Sequence, residues 1–280
     1  MSSLDPVLVR GLAAIEPYLD AVVVAGGWVP HIYEHMYDAA TAGQAPRTRD
    51  IDLAIGRRVP LRGDAIDDLL TKADFNCEFR SLDTPPVTKY VAIDDAEVEI
   101  EFITDAPGQR QAVVNVQPGL TAQELRYVGL LLRDPWLVNL DDISDDGRGL
   151  HIQIPNPSMF VMQKALAFPR RRDRVKAEKD LYYIFFVFEA FPKWRPLFAQ
   201  GFKAVAPDKR RWFKRAVDLL RVQFETPDSS GIDALGHQRP QTAFTGLGDD
   251  QFRQYAFSVM NDLIAMMEAA LVRRPDRPSA

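Results

Sequence analysis

Two short acidic alternations are the parts of this chain whose residue types and spacing could do chemistry. They are Asp50-Ile51-Asp52-Leu53 and Val98-Glu99-Ile100-Glu101-Phe102-Ile103. Side chains alternate across a β-strand, so Asp50 and Asp52 share one face while Ile51, Leu53 and Ile55 share the other. Carboxylates held side by side repel one another unless a cation lies between them. Magnesium prefers hard oxygen ligands and is commonly held by one or two carboxylates together with substrate phosphates. A third carboxylate from a neighbouring strand would complete a clamp for two Mg²⁺ ions. One ion would lower the pKa of an acceptor hydroxyl, and the other would neutralise a triphosphate and its leaving group. Glu97, Glu99 and Glu101 all fall on one face of their strand. Glu101 is preferred as the third ligand, because Ile100 and Phe102 flank it as Ile51 and Leu53 flank Asp52. Glu99 is the reserve. Asp50 or Glu101 would also help to deprotonate the acceptor.

A phosphate needs a different kind of partner. Gly26-Gly27 lies between a buried strand, Ala21–Ala25, and a helical stretch over 28–40. A turn that opens a helix offers backbone N–H groups to phosphates, and glycine lets the backbone approach closely. Thr48, between Arg47 and Arg49 just before the first acidic strand, offers further phosphate partners or a solvated loop. A competing motif is His31-Ile32-Tyr33-Glu34-His35, which fits the H-x-x-E-H pattern of inverted zinc peptidases. On a helix its two histidines would lie one turn apart, with Glu34 as base. The single cysteine, Cys77, excludes an intramolecular disulfide and a cysteine zinc cluster.

These residues need a scaffold. Residues 5–19 and 63–73 carry helical periodicity. Asp50–Ile55, Phe75–Arg80, Lys89–Ile93 and Glu97–Thr104 read as strands. The runs QAVVNV, RYVGLLL, WLVNL and LHIQIP between 110 and 154 read as more strands. After Pro155-Asn156-Pro157 the pattern turns helical, with helices over 157–169, 173–191, 195–205, 208–223 and 250–273. Residues 41–46 and 225–248 read as loops, and the tail from 273 as frayed. The sequence therefore predicts an α/β (α+β) domain with a mixed sheet over 1–150, followed by a helical domain over 151–280.

An apolar content of 46% supports a real core, and no run approaches the roughly 20 apolar residues of a membrane span. The N-terminal stretch lacks a basic region ahead of its apolar part, so it reads as an amphipathic helix and the chain as cytoplasmic. The net charge of −5 conceals an asymmetry: residues 164–221 hold 16 Lys/Arg against 6 Asp/Glu. An acidic body with one basic segment suits a metal site plus a place for a polyanion such as RNA.

The Gly-Gly turn, Thr48-x-Asp50-Ile51-Asp52-Leu53 and Glu101-Phe102-Ile103, in that order, resemble the DNA polymerase β-type nucleotidyltransferase superfamily. Within it the chain is similar to the AbiEii/MenT-like toxins and related nucleotidyltransferases. The resemblance covers about residues 20–190. It extends to a later helix with Lys164, the arginines of 170–174, and Lys179-Asp180. The 22 residues between Gly27 and Asp50 make a longer gap than is usual in that group, and Glu101 stands where Asp is commoner. The resemblance implies a nucleotidyltransferase fold with a helical C-terminal domain and transfer of a nucleotide from an NTP. It also implies that Lys164 touches the triphosphate, as a lysine point charge can. The acceptor it implies is RNA such as tRNA, in a toxin that could have an antitoxin partner. An acceptor that is a small hydroxylated molecule, as in antibiotic-modifying enzymes, is the alternative.

Overall fold

The computed structural model describes residues 5–36, 48–79, 85–108, 112–145, 147 and 149–272. The loop expected at 41–46 and the tail from 273 lie outside the described residues. The chain divides into two compact units, the first running to Met159 and the second from Phe160 onward. The division falls beyond 150 because the last strand of the first unit, at 151–154, pairs into its sheet.

The first unit opens with α1 (Pro6–Ala14), where Asp5 caps the first turn by accepting from the Val7 amide at 2.9 Å. Then follow β1 (Val22–Ala25), α2 (Trp28–Met36), β2 (Asp50–Ile55), α3 (Ile66–Lys72), β3 (Phe75–Phe79), β4 (Thr88–Ala92) and β5 (Glu99–Asp105). Next come β6 (Val113–Gln117), β7 (Leu120–Leu125), α4 (Val128–Leu131), β8 (Trp136–Asn139) and β9 (His151–Ile154). The strands form one mixed sheet in the order β3-β4-β5-β2-β1-β9-β8, with β7 beside β5 and β6 beside β7. β1 pairs antiparallel with β2, and β2 pairs parallel with β5. β4 and β7 share one edge of β5: β4 covers Glu99–Glu101 and β7 covers Ile103–Asp105. Ile51, Leu53 and Ile55 are buried, as the alternation requires.

The run RYVGLLL, expected as a strand, is instead α4, entered through Tyr127 in the left-handed region at φ 73°. A short apolar run has no period long enough to separate a buried helix turn from a buried strand. β7 (LTAQEL) was not anticipated, because its alternation is weak.

The second unit continues α5 (Pro157–Ala167) into α6 (Arg174–Glu189), α7 (Arg195–Val205), α8 (Arg210–Gln223), α9 (Ser230–Gln238) and α10 (Asp249–Leu271). Asp173 caps α6 through the amides of Val175 and Lys176. From Asp180 to Glu189 every residue of α6 is buried, which marks it as the central helix of its unit. Phe185 meets the rings of Phe244 and Phe252, and Phe188 meets Phe198 edge-on. Residues 225–248 were expected as one loop, yet they hold α9, which buries Ile232 and Leu235 against α6.

Candidate active site

The site is built on the pairing of β2 with β5. Asp50 faces Glu99 and Asp52 faces Glu101, position for position. Neighbouring strands lie about 4.8 Å apart, so the alternation that puts Asp50 and Asp52 on one face puts all four carboxylates there. Unit charges at about that separation repel by roughly 3 kcal/mol at an effective dielectric near 20. The opposite face is packed with Ile51, Leu53, Ile100 and Phe102, all buried. The acid row is therefore fixed by a core that cannot slip by one residue without burying the charges.

β4 supplies a residue that the sequence reading did not single out. Lys89 lies in register with Glu101 and donates to Glu99 Oε2 at 2.6 Å and to Glu101 Oε1. Burial pulls the Lys89 ammonium down, but the hydrogen bonds to Glu101 and then Glu99 outweigh it and hold its pKa above the ordinary lysine value. Lys89 is thus a cation embedded in the acid face. Glu97 is not part of that face. It precedes β5, in a turn, and meets Arg49 at 2.9 Å.

Arg49 is exposed and also holds Asp95, at 2.9 Å, so its guanidinium lies on the β4–β5 turn. Thr48 is half-buried two residues before β2. Asp50 is exposed and, among the described residues, makes no ion pair.

Gly26 and Gly27 form the turn from β1 into α2, beside β2, where Ala25 pairs with Asp52. Gly26 sits in the left-handed region at φ 67°, and a Cβ added there would lie 2.0 Å from Asp52 Oδ2. Only glycine lets this turn run against the Asp52 carboxylate. Gly26→Ala is expected to displace that carboxylate, adding about 1–2 kcal/mol of left-handed strain. Nucleotide transfer, the activity that the resemblance implies, should fall on the order of a hundredfold while circular dichroism still reports a folded protein. Wild-type activity in Gly26→Ala would remove the turn from the site.

The carboxylates fit a hard divalent cation by donor type, four oxygen ligands on one face. They do not close round a point: among the described residues no group of three or more His, Cys, Asp or Glu side chains converges on a metal position. The zinc-peptidase motif has no third ligand there either. On α2, His31 Nδ1 lies 3.6 Å from Glu34 Oε2, and the His31 ring packs against Trp28. Burial first, and His31 next, lower the pKa of His35. Burial, aided by Asp67, pushes the Cys77 thiol up to about 11 and so disfavours its thiolate.

In the helical unit Lys164 is buried, not solvated. Its ammonium donates to Asp180 Oδ1 at 2.6 Å and lies over the rings of Phe160 and Tyr183. Arg171 donates through Nε to Asp180 Oδ2 at 2.8 Å. Full burial would raise the Asp180 carboxyl, but the charges of Lys164 and then Arg171 prevail and hold it below the ordinary range. The Asp of the Lys179-Asp180 pair thus answers Lys164 from one α-helix to the next. Lys179 itself lies over the Tyr183 ring.

No protein of curated function matches the sequence. A family model described as Nucleotidyltransferase matches residues 7–207. That span takes in the glycine turn, both acidic strands, Lys164 and Asp180, and on it the chain belongs to the nucleotidyltransferase family.

Proposed function

We propose that the acid face of β2 and β5 is the catalytic centre of a transferase that moves a nucleotide from an NTP to RNA, such as tRNA. The observation that supports this most is the in-register set of Asp50, Asp52, Glu99 and Glu101, with the Gly26 turn against Asp52. Enzymes of this family generally use an NTP and divalent metal ions. Asp50, Asp52 and Glu101 would hold two Mg²⁺, with Glu99 in reserve. When bound, such ions neutralise the triphosphate and acidify the acceptor hydroxyl. Gly26 and Gly27 present backbone N–H groups to the triphosphate at the start of α2, with Thr48 and Arg49 as further phosphate partners; for Arg49 that role would require its pairs with Asp95 and Glu97 to open. Asp50, unpaired among the described residues and exposed, takes the acceptor proton; Glu101 is already engaged by Lys89. The acceptor oxygen bonds to the α-phosphorus, the bond to the bridging oxygen breaks, and pyrophosphate leaves. A phosphate role for Lys164 would require its pair with Asp180 to open.

RNA is favoured as acceptor by the basic segment 164–221, where Arg170, Arg172 and Arg174 are exposed. A toxin role with an antitoxin partner rests on the resemblance. No helix among the described residues is long and apolar enough to cross a membrane.

Purified protein given Mg²⁺, each labelled NTP in turn and total tRNA should put label on RNA. NTP binding without RNA labelling would move the acceptor to a small hydroxylated molecule, and no NTP binding would sink the reading. Replacing Arg170, Arg172 and Arg174 together by glutamine should cut RNA labelling about tenfold or more and flatten its salt dependence. The same change should leave a small-molecule acceptor unaffected. Arg171 stays in place because it supports Asp180.

A further inference from the structure

Resting on that metal reading, we infer that Lys89 is a built-in counter-cation that holds Glu99 and Glu101 together before metal arrives and weakens the grip of the site on a divalent ion. Three observations carry it. Lys89 is in register with Glu101 and bridges both glutamates. All three side chains are about four-fifths buried, at 22%, 20% and 19% exposure, so solvent screens their attraction less than on an open surface. The strand beside them carries Asp50 and Asp52 in register with the two glutamates, so four carboxylates share the face with Lys89.

The consequence for binding has a definite sign. A divalent ion that takes Glu101 as a ligand must compete with an ammonium already bound to the same carboxylate. Removing the ammonium removes the competitor and leaves two neighbouring carboxylates that repel until a cation joins them. Both effects tighten metal binding. Lys89 therefore lowers affinity for the ion while sparing the empty site from its own repulsion, and it acts as a positioning residue through the glutamates.

The test is titration of the intact protein with Mn²⁺ alone, without nucleotide, followed by calorimetry or by the loss of the free-ion paramagnetic signal. Lys89→Met should bind Mn²⁺ about tenfold more tightly than wild type. It should also melt several degrees lower in chelator and regain the loss when Mn²⁺ is added. Lys89→Arg, which keeps the charge, should stay close to wild type on both readouts. Equal or weaker Mn²⁺ binding by Lys89→Met, with wild type binding normally, overturns the inference and leaves the metal reading standing. Failure of wild type to bind Mn²⁺ at all removes both together. If Lys89→Met does not fold, Lys89→Gln carries the same expectation with a polar side chain.

Discussion

Asp52→Ala is expected to abolish nucleotide transfer, by at least about a thousandfold, without unfolding the protein. Asp52 occupies the centre of the proposed site: it pairs in register with Glu101, faces Ala25 across the antiparallel pair, and has Gly26 against its carboxylate. Its loss removes an oxygen donor and a negative charge from the place where phosphate charge must be neutralised. Charge stabilisation of several kcal/mol by bound ions corresponds to roughly three orders of magnitude in rate. Stability should change little, because Asp52 is only half-buried and its removal relieves repulsion within the acid row. Ile51→Ala gives the contrast one residue away. Ile51 is 1% exposed, and its truncation should cost about 2–5 kcal/mol while leaving the carboxylates in place. The two variants should therefore separate: lost transfer with a normal melt for Asp52→Ala, a lowered melt with residual transfer for Ile51→Ala. A folded and active Asp52→Ala protein would end the proposed mechanism.

The acid strands were legible because two signals coincide in them. Alternation fixes the face, and the contrast between carboxylates and Ile, Leu or Phe makes the alternation hard to misread. β2 runs from Asp50 to Ile55 as the sequence predicts. Glu101 was preferred as third ligand only from its flanking residues; the strand pairing sets Asp52 opposite Glu101 and Asp50 opposite Glu99. Lys89 was invisible as a site residue because its meaning depends on sheet order. β4 must lie beside β5, and the sequence does not state strand neighbours. α9 was missed for a local reason. Its Ser and Gly content reads as loop, yet Gly231 is there because a Cβ would lie 2.3 Å from the Gln223 carbonyl oxygen, so helix packing demanded the residue that hid the helix. Lys164 showed the same limit. A lysine on a helix looks solvated until Asp180, sixteen residues on, supplies the buried partner.

That buried pair leads to the second large effect, on stability. Asp180→Ala should destabilise the helical unit by about 3–5 kcal/mol, because it strands the Lys164 ammonium in an apolar setting of Phe160 and Tyr183. Arg171, partly exposed, can turn to water; Lys164, with 4% of its side chain exposed, cannot. The pH dependence has a fixed sign. The folded carboxyl titrates below its unfolded value, so the pair contributes fully above the unfolded carboxylate pKa and loses that contribution as pH falls through the folded one. Wild type should therefore weaken in acid, and Asp180→Ala should show a flatter acid limb in urea melts followed across pH. Unchanged stability in Asp180→Ala would mean that Lys164 does not depend on this partner. Replacing both charges, Lys164→Met with Asp180→Leu, should recover most of the stability, since an apolar pair of similar volume is often neutral or better. The double variant also separates structure from chemistry. If Lys164 serves only the fold, transfer returns with stability; if its ammonium reaches the triphosphate, the protein refolds and stays inactive.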